Sequence, residues 1–210
     1  MLIHKSISEY YTSKVKEFGC TPLGVDWTCV ATQEMRFVQL LKLCDFGSPF
    51  TINDLGCGYG ALAGFLNRWH GACRVDYLGV DLSKEMVRRA RQLWRSIDGV
   101  RFAGGFRSPR VADYSVASGI FNVRLEEPND RWSSFIRSTL HGLAATSNRG
   151  FAVNFVDRPP SGAWVPPGLY TTPPEPWIEY CSEHMGAEVE LVKDYGMREF
   201  TLLVRHRHGR

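Results

Sequence analysis

A glycine-rich loop between a predicted strand and a predicted helix constrains this chain more than any other feature. The loop reads Asp54-Leu-Gly-Cys-Gly-Tyr-Gly-Ala61, after the apolar stretch 50–55 and before the helical pattern of residues 61–69. Glycines at such a turn accept positive φ angles and let a ligand approach the backbone, where a Cβ atom would collide with it. The helix behind the loop presents unpaired N–H groups. The loop therefore predicts a cofactor site at the end of the first strand.

Two classes of cofactor are compatible with this loop. Gly56, Gly58 and Ala61 satisfy the dinucleotide pattern G-x-G-x-x-G/A, in which the helix N-terminus holds a pyrophosphate. Asp54 and the third glycine, Gly60, favour S-adenosylmethionine (SAM) instead. A carboxylate suits the cationic amino-acid tail of SAM, and it would repel a pyrophosphate.

A second carboxylate lies where a ribose would be held. Asp81 ends the second predicted strand within Leu78-Gly-Val-Asp-Leu-Ser83. At that position it can accept hydrogen bonds from both ribose hydroxyls. Both cofactor classes contain a ribose, so Asp81 indicates a nucleoside without choosing between them. The alternative is that Asp81 only caps the helix that begins near Ser83.

Strand and helix patterns alternate along most of the chain, which predicts a parallel sheet of right-handed βαβ units. The last two apolar stretches, 188–193 and 199–205, are separated by five residues, too few for a crossover helix, so they predict an antiparallel hairpin. The predicted fold is α/β: a doubly wound, mostly parallel seven-stranded sheet with a C-terminal antiparallel β-hairpin, helices on both faces and an N-terminal helical leader.

The predicted organisation is a helical leader or cap, residues 1–45, followed by a cofactor-binding domain, residues 46–210. Residues 157–176 hold seven of the eleven prolines and are predicted to form an insertion over the edge of the sheet. No apolar run reaches the ~18 residues of a membrane span. The net charge of +3 is too small to indicate nucleic-acid binding.

Six cysteines occur without a C-x-x-C pair or zinc-ligand spacing, so we predict reduced thiols, no metal site and a cytoplasmic location.

The two motifs together resemble the class I SAM-dependent methyltransferases, over about residues 48–206. Asp54-Leu-Gly-Cys-Gly-Tyr-Gly60 is similar to the first family motif and Gly79-Val-Asp-Leu-Ser83 to the second. Residues 112–119 look like the fourth strand of that family, and the terminal hairpin agrees with its seven-stranded sheet. The short chain indicates a bacterial-like, small-molecule type.

The resemblance implies a set of cofactor contacts around the first motif. Gly56, Gly58 and Gly60 would line the methionyl part of SAM, and Asp54 would serve its amino group.

The resemblance also implies contacts at three neighbouring strand ends. Asp81 would hold the ribose and Leu82 would pack on the adenine. Ser118 and Gly119 would bring their backbone close to the sulfonium. The family often has an acidic residue after the third strand, which this chain lacks, so Phe106 is the predicted adenine contact there.

The methyl acceptor is predicted to lie where the fourth and fifth strands end, because open α/β sheets bind ligands at that edge. The predicted acceptor residues are Tyr10, Trp27, Asn122, Arg124 and Asn154. For Tyr10 and Trp27, ordinary packing is the alternative.

For a hydroxyl acceptor, Tyr11 and Asp157 are the candidate general bases.

The predicted activity is a SAM-dependent methyltransferase (EC 2.1.1 type) that moves a methyl group to an N, O or C nucleophile of a small molecule, as a monomer or homodimer. Two alternatives remain open at this point. One is an NAD-dependent oxidoreductase that uses the same loop, and the other is a non-catalytic SAM-fold partner subunit.

Overall fold

The order of secondary-structure elements is taken from a computed structural model, which describes residues 2–71 and 73–207. Within these residues the elements are α1 (Leu2–Phe18), α2 (Val30–Leu41), β1 (Phe50–Leu55), α3 (Ala61–His70), β2 (Val75–Asp81), α4 (Lys84–Leu93), β3 (Val100–Gly104), β4 (Ala112–Ala117), α5 (Asn129–Ala145), β5 (Ser147–Val156), α6 (Glu175–Glu179), β6 (Glu188–Val192) and β7 (Glu199–Arg205). A 3₁₀ turn, Pro22–Val25, lies between α1 and α2.

The strands form one sheet in the order β3-β2-β1-β4-β5-β7-β6 over the described residues. The first five strands of this chain are mutually parallel, whereas β7 runs antiparallel to both β5 and β6. This arrangement confirms the predicted seven-stranded sheet and its C-terminal hairpin. The strand order reverses between β1 and β4, so the helices that follow them, α3 and α5, lie on opposite faces of the sheet and leave a crevice, the usual ligand position in such sheets.

Apolar side chains on alternate strand positions divide the core between the two faces of the sheet. Ile52 and Leu203 face α2 and α3, where Phe37 and Leu62 pack against them. The neighbouring positions, such as Leu202, face α5 and α6 in a second cluster of buried residues. Period-two alternation in strands buried on both faces explains why these stretches read as continuous apolar runs.

Helix α1 lies across the carboxyl edge of the sheet at the junction of β2 and α4. Ser8 Oγ donates to the Leu82 carbonyl (3.2 Å), and the hydroxyls of Thr12 and Ser83 lie 2.6 Å apart. The following turn is fixed by Asp26, whose φ of +60° is unusual for a residue other than glycine. Helix α1 is therefore the part of the predicted helical leader that covers this edge of the sheet.

The connection between β3 and β4 contains no helix, and the structure describes all seven of its residues, 105–111. This segment, the strap, crosses one face of the sheet past β2 and β1. Arg110 holds it there by donating to the carbonyls of Ile52 (3.1 Å) and Asp76 (2.8 Å) and to the Asp76 carboxylate (2.7 Å). A groove with about 1170 Å³ of empty space lies between the strap and α5.

The proline-rich segment, residues 157–176, runs along the carboxyl ends of β4 and β5. Its Gly168 carbonyl accepts from Arg124 N (2.8 Å), and its Tyr170 N donates to the Asn122 carbonyl (2.8 Å). After this segment, the short helix α6 continues into a π-helical turn, Tyr180–His184.

Candidate functional site

A cavity with about 760 Å³ of empty space, part of it open to solvent, lies where β1, β2 and β4 end beneath α1. Its walls come from α1, the turn before α2, the glycine-rich loop, the ends of β2 and β4, the strap and α5. The wall residues used below are His4, Ile7, Ser8, Tyr11, Val25, Trp27, Gly56, Gly58, Asp81, Leu82, Met86, Gly105, Phe106, Ser118, Gly119, Ile120, Phe135 and Thr139.

The glycine-rich loop turns sharply because three of its residues adopt left-handed backbone conformations. The φ angles are +76° at Gly56, +55° at Gly58 and +81° at Gly60. Gly56 and Gly58 face the cavity, as predicted. Gly60 does not, since a Cβ there would lie 2.7 Å from Phe102 and 2.8 Å from Trp94. Gly60 instead packs against Phe102 and Trp94 at the start of α3, and its predicted contact with the cofactor stays a prediction.

Three glycines of the site have side chains of this chain resting directly on them. A Cβ on Gly58 would lie 2.8 Å from Val25, and one on Gly119 would lie 2.3 Å from Trp27. A Cβ on Gly56 would lie 2.2 Å from Ile120. The turn before α2 thus closes tightly on the loop, and any side chain larger than hydrogen is excluded at these positions.

Asp54, at the end of β1, is a buried carboxylate directly behind the loop. Tyr77 donates its hydroxyl proton to Asp54 Oδ2 at 2.6 Å. The pKa of Asp54 is raised to about 7: burial raises it most, the Tyr77 hydrogen bond opposes the rise, and the charge of Asp81 adds to it. Asp54 contacts the floor of the loop rather than the main cavity, and it lines a smaller cavity with Gly56, Gly58 and Ser118.

Asp81 connects the loop to the start of α4. Its Oδ2 accepts from Gly58 N (2.8 Å) and its Oδ1 accepts from Ser83 N (2.8 Å), while Ser83 itself caps α4. Burial raises the pKa of Asp81 to about 6, against the lowering effect of the Ser83 and Gly58 N–H groups. Asp81 therefore faces the cavity and also orders the backbone before α4.

Apolar and aromatic groups form the side of the cavity beyond Asp81. Leu82, Met86 and Phe106 line it, and the Phe106 ring stacks on His4 with centroids 4.8 Å apart. Phe106 is 54% exposed, so α1 and the strap leave this side partly open. These side chains give the cavity an apolar surface that a flat heteroaromatic ring can contact.

The end of β4 supplies an unsatisfied polar atom. Ser118 Oγ is buried and has no hydrogen-bond partner within the described residues. The next residue, Gly119, has φ +71° and donates its N–H to Asn154 Oδ1 (2.7 Å). Buried polar atoms are normally paired, so the Ser118 hydroxyl indicates a polar ligand group at this point.

The charges around the cavity call for a cation. Asp54 is buried and Asp81 is partly buried, and neither forms an ion pair with any residue in 2–71 or 73–207. Two neighbouring desolvated carboxylates are stabilised by a positively charged ligand and destabilised by an anionic one. SAM carries an ammonium and a sulfonium group, and a dinucleotide carries a pyrophosphate, so the residues present suit SAM.

Only some of the predicted acceptor residues and candidate bases line the cavity. Tyr11 and Trp27 line the cavity. Tyr10 does not, because its hydroxyl donates to Asp26 Oδ2 at 2.6 Å. Asp157 also lies outside the cavity wall, since its carboxylate pairs with Lys193 (2.8 Å) and accepts from Arg158 N.

The three remaining predicted acceptor residues contact protein groups. Arg124 donates to the Glu127 carbonyl, and Asn154 is fully buried between Gly119 N and Glu199. Asn122 is buried as well, with its Oδ1 unpaired among the described residues. None of these three side chains lines the cavity, which lies closer to α1.

Two features of the site have no counterpart in the sequence predictions. The first is the α1 face formed by His4, Ile7 and Ser8, which roofs the cavity. The second is a buried ion pair between Arg36 of α2 and Glu199 of β7, next to Trp27. A signal existed for Arg36, because it lies on the apolar stripe of α2 beside Phe37.

Comparison with known proteins identifies the family. Residues 52–126 match the protein family described as a methyltransferase domain. The Mycobacterium tuberculosis protein Rv1506c, whose name assigns it provisionally to the methyltransferases, is 41% identical over 165 residues, which are 79% of this chain and 98% of that protein. This chain belongs to the SAM-dependent methyltransferase family. Its cofactor is SAM, and the dinucleotide alternative is set aside.

Solved structures of SAM-dependent methyltransferases share the fold. DhpI in complex with SAH (S-adenosylhomocysteine) superposes with a TM-score of 0.64 at 15% identity, over 97% of this chain and 96% of that chain. Magnesium protoporphyrin IX methyltransferase from Synechocystis with bound SAH gives 0.57 at 15% identity, over 97% and 85%.

Two kinds of feature are absent from the described residues, 2–71 and 73–207. These residues contain no helix both long and apolar enough to cross a bilayer. They also contain no cluster of three metal-ligating side chains.

Proposed function

We propose that this methyltransferase moves the methyl group of SAM to an N, O or C nucleophile of a small molecule. The observation that carries the proposal is the pair of carboxylates Asp54, which is buried, and Asp81, which is partly buried, neither of them in an ion pair within the described residues, at a cavity that α1 roofs. A roofed cavity of this size suits a small acceptor better than a polymer. The modest net charge of +3 also speaks against nucleic acid.

The cofactor would be held by the residues of the loop and the neighbouring strand ends. Asp81 would accept from the ribose hydroxyls, and Asp54 would balance the charge of the amino group from behind the loop. Gly56 and Gly58 would offer backbone to the methionyl part.

The remaining cofactor contacts would come from the outer wall and the end of β4. Leu82 and Phe106 would contact the adenine. Ser118 and Gly119 would lie beside the sulfonium, where the unpaired Ser118 hydroxyl supplies a polar contact.

SAM supplies a methyl group already activated by the sulfonium charge. The chain itself must align the acceptor and exclude water, and orientation alone contributes about 7–11 kcal/mol to such reactions. Ile7, Tyr11 and Trp27 are placed to do this, because they close the cavity on the side of α1. The face of α1 and the turn before α2 together form the wall against which an acceptor would pack.

Tyr11 is better suited to donate a hydrogen bond than to accept a proton. Burial raises the pKa of Tyr11 well above its usual value, and the charges of Asp26, Tyr10 and Asp81 add to the rise. Its phenol therefore stays protonated at neutral pH and can orient an acceptor oxygen or nitrogen. Asp157 can act as a base only when its ion pair with Lys193 opens. The predicted base role of Asp157 therefore depends on the opening of that pair.

We propose a cytoplasmic location for the enzyme. All six cysteines are free thiols, which suits a reducing compartment.

The proposal is tested in two steps. Calorimetric titration with SAM, SAH and NADH should show binding of SAM and SAH only, and binding of NADH without SAM would overturn it. Incubation with methyl-labelled SAM and a low-mass fraction of cell extract should then transfer label to a small molecule. Binding without any transfer, to small molecules or to macromolecules, would favour the non-catalytic partner subunit instead.

A further inference from the structure

A closed circuit of contacts runs behind the β4 side of the cavity. Gly119 N donates to Asn154 Oδ1 (2.7 Å), and Asn154 Nδ2 donates to Glu199 Oε2 (2.8 Å). Arg36 Nε donates to both Glu199 oxygens (3.1 and 2.9 Å), and its Nη2 donates to Oε1. The Arg36 guanidinium lies 3.7 Å from the centroid of the Trp27 ring. The circuit closes where that ring covers Gly119.

The ion pair in this circuit is almost completely removed from solvent. Arg36 is 7% exposed, Glu199 is 6% exposed, and Asn154 is fully buried. The third nitrogen of Arg36, Nη1, donates to the Thr32 carbonyl (2.6 Å), so each guanidinium nitrogen has a partner. Buried ion pairs contribute little net stability compared with apolar residues of similar volume, so a fully bonded pair at this position needs another explanation.

Trp27 provides that explanation, because it is the member of the circuit whose ring faces the cavity. One part of the ring lies on the guanidinium and another part lies on the backbone of Gly119. A planar cation held by two carboxylate oxygens has one orientation, and an aromatic ring stacked on it is fixed in turn. Arginine is required for this arrangement, since a lysine ammonium offers no flat face.

We propose that Arg36 and Glu199 are positioning residues that set the orientation of Trp27, and through it the shape of the cavity beside Gly119. Neither residue lines the cavity, so both act through Trp27 and Asn154. This inference rests on the proposed function, because it assigns the wall that Trp27 forms to the SAM and acceptor site. The buried pair thus links α2 and β7, two elements outside the cofactor motifs, to the wall of that site.

A double-mutant cycle with SAH as the probe separates this role from general stability. Arg36→Lys keeps the charge beside Glu199 but removes the flat guanidinium. We expect it to weaken SAH binding about tenfold, equal to about 1.4 kcal/mol. In a Trp27→Ala background the same change should weaken binding less than about twofold, because the two residues act as one unit. Equal losses in both backgrounds would overturn the proposal.

A second measurement does not depend on the ligand. The fluorescence of Trp27 is isolated by subtracting the spectrum of the same chain carrying Trp27→Ala. We expect acrylamide to quench this fluorescence more strongly in Arg36→Lys than in the intact chain. Unchanged quenching would contradict the proposal. If the intact chain fails to bind SAH, the proposed function fails, and this quenching comparison alone decides the positioning role.

Two further variants keep the test interpretable. Arg205→Lys is the control: Arg205 lies on the same strand as Glu199, but it pairs with an exposed carboxylate, Glu190. This change should alter neither SAH binding nor quenching. If Arg36→Lys does not fold, the paired change Arg36→Met with Glu199→Gln removes both buried charges and keeps an acceptor for Asn154. It should fold and show the same loss of SAH binding and the same increase in quenching, and intact SAH binding would overturn the proposal.

Discussion

Asp81 illustrates how one carboxylate can serve both the ligand and the fold. Its two oxygens already accept from Gly58 N and Ser83 N, which fixes the distance between the glycine-rich loop and α4. Each oxygen retains a second lone pair for a ligand hydroxyl. The same carboxylate can therefore hold the backbone in place and still bind a ribose.

Replacing Asp81 with Ala should weaken SAM binding at least tenfold, because charge-assisted hydrogen bonds contribute about 1.5–3 kcal/mol each. Calorimetry with SAM measures the loss. Asp98→Ala removes an exposed carboxylate and is the matched control, with no change expected. Unchanged affinity in Asp81→Ala would remove this residue from the site.

Sequence reasoning found the residues that lie next to a motif and missed those that meet only in space. Gly56, Gly58 and Asp81 were identified because strand-loop-helix context gives them meaning. Arg36 and Glu199 are 163 positions apart, so no local pattern can join them. Asn154 was placed correctly at a strand end, but only the fold shows that Gly119 and Glu199 occupy its amide.

At the scale of elements, the glycine-rich loop and the turn before α2 are shaped to each other. Gly58 has φ +55°, and the space where its Cβ would lie is bounded by Val25 at 2.8 Å. Any larger residue at position 58 must therefore displace the turn or the loop.

Gly58→Val should abolish SAM binding while the chain still folds, because the branched side chain meets Val25 and resists a positive φ. Gly162→Val is a control with a similar backbone requirement, φ +83°, but no atom within 4 Å. Calorimetry should show normal SAM binding for Gly162→Val and none for Gly58→Val. A folded Gly58→Val protein with normal affinity would show that this loop is not the cofactor cradle.

Removing α1 should open the cavity without destroying the sheet. A chain lacking residues 1–18 loses the roof formed by Ile7 and Tyr11, together with the buried contact of Val15. We expect SAH affinity to fall tenfold or more, a lower melting temperature and an unchanged sheet signal in circular dichroism.

A milder variant tests the same roof without a deletion. Combined Ser8→Ala and Thr12→Val removes only the contacts of α1 to Leu82 and Ser83. It should weaken SAH binding less than the truncation does. Full SAH affinity in the truncated chain would exclude α1 from the site.

The order of strands and helices along the sequence is predictable, because the period of the apolar residues distinguishes strands from helices. The sequence also predicts a helical leader as a cap, but its pattern does not show which side chains of α1 line the cavity. The sequence also could not show that the Asn154 amide bonds to Gly119 and Glu199, because Glu199 reaches it from the distant strand β7.

For the molecule as a whole, the buried carboxylates make stability and cofactor affinity respond to pH in opposite directions. The pKa of Asp54 is raised to about 7 and that of Asp81 to about 6, above the ordinary value of 3.8. The folded protein therefore binds protons more tightly than the unfolded chain. This stabilisation is complete below the ordinary pKa and is lost as pH rises through 6 and 7.

The free protein should gain on the order of 1 kcal/mol of unfolding free energy from Asp54 between pH 8 and pH 6. SAM should bind more weakly at pH 6 than at pH 8, because its positive charges favour the ionised carboxylates. Urea unfolding and calorimetry at both values measure the two effects. Asp54→Asn should abolish the stability difference that Asp54 causes, and the comparison cancels contributions from the histidines. Parallel pH trends for stability and affinity would contradict this account.

The short strap between β3 and β4 makes the length of that connection tolerant in one direction only. From Gly104 to Ala112 the chain crosses three strand-to-strand spacings and moves back by about six residues along the strand direction. The straight-line distance is roughly 24 Å. Eight Cα steps span at most about 26–29 Å. Deleting even one or two residues would pull β4 out of register with β1, whereas added residues cost little loop entropy. Insertions here, up to a whole helix, would occupy the groove beside α5 and leave the strand order intact.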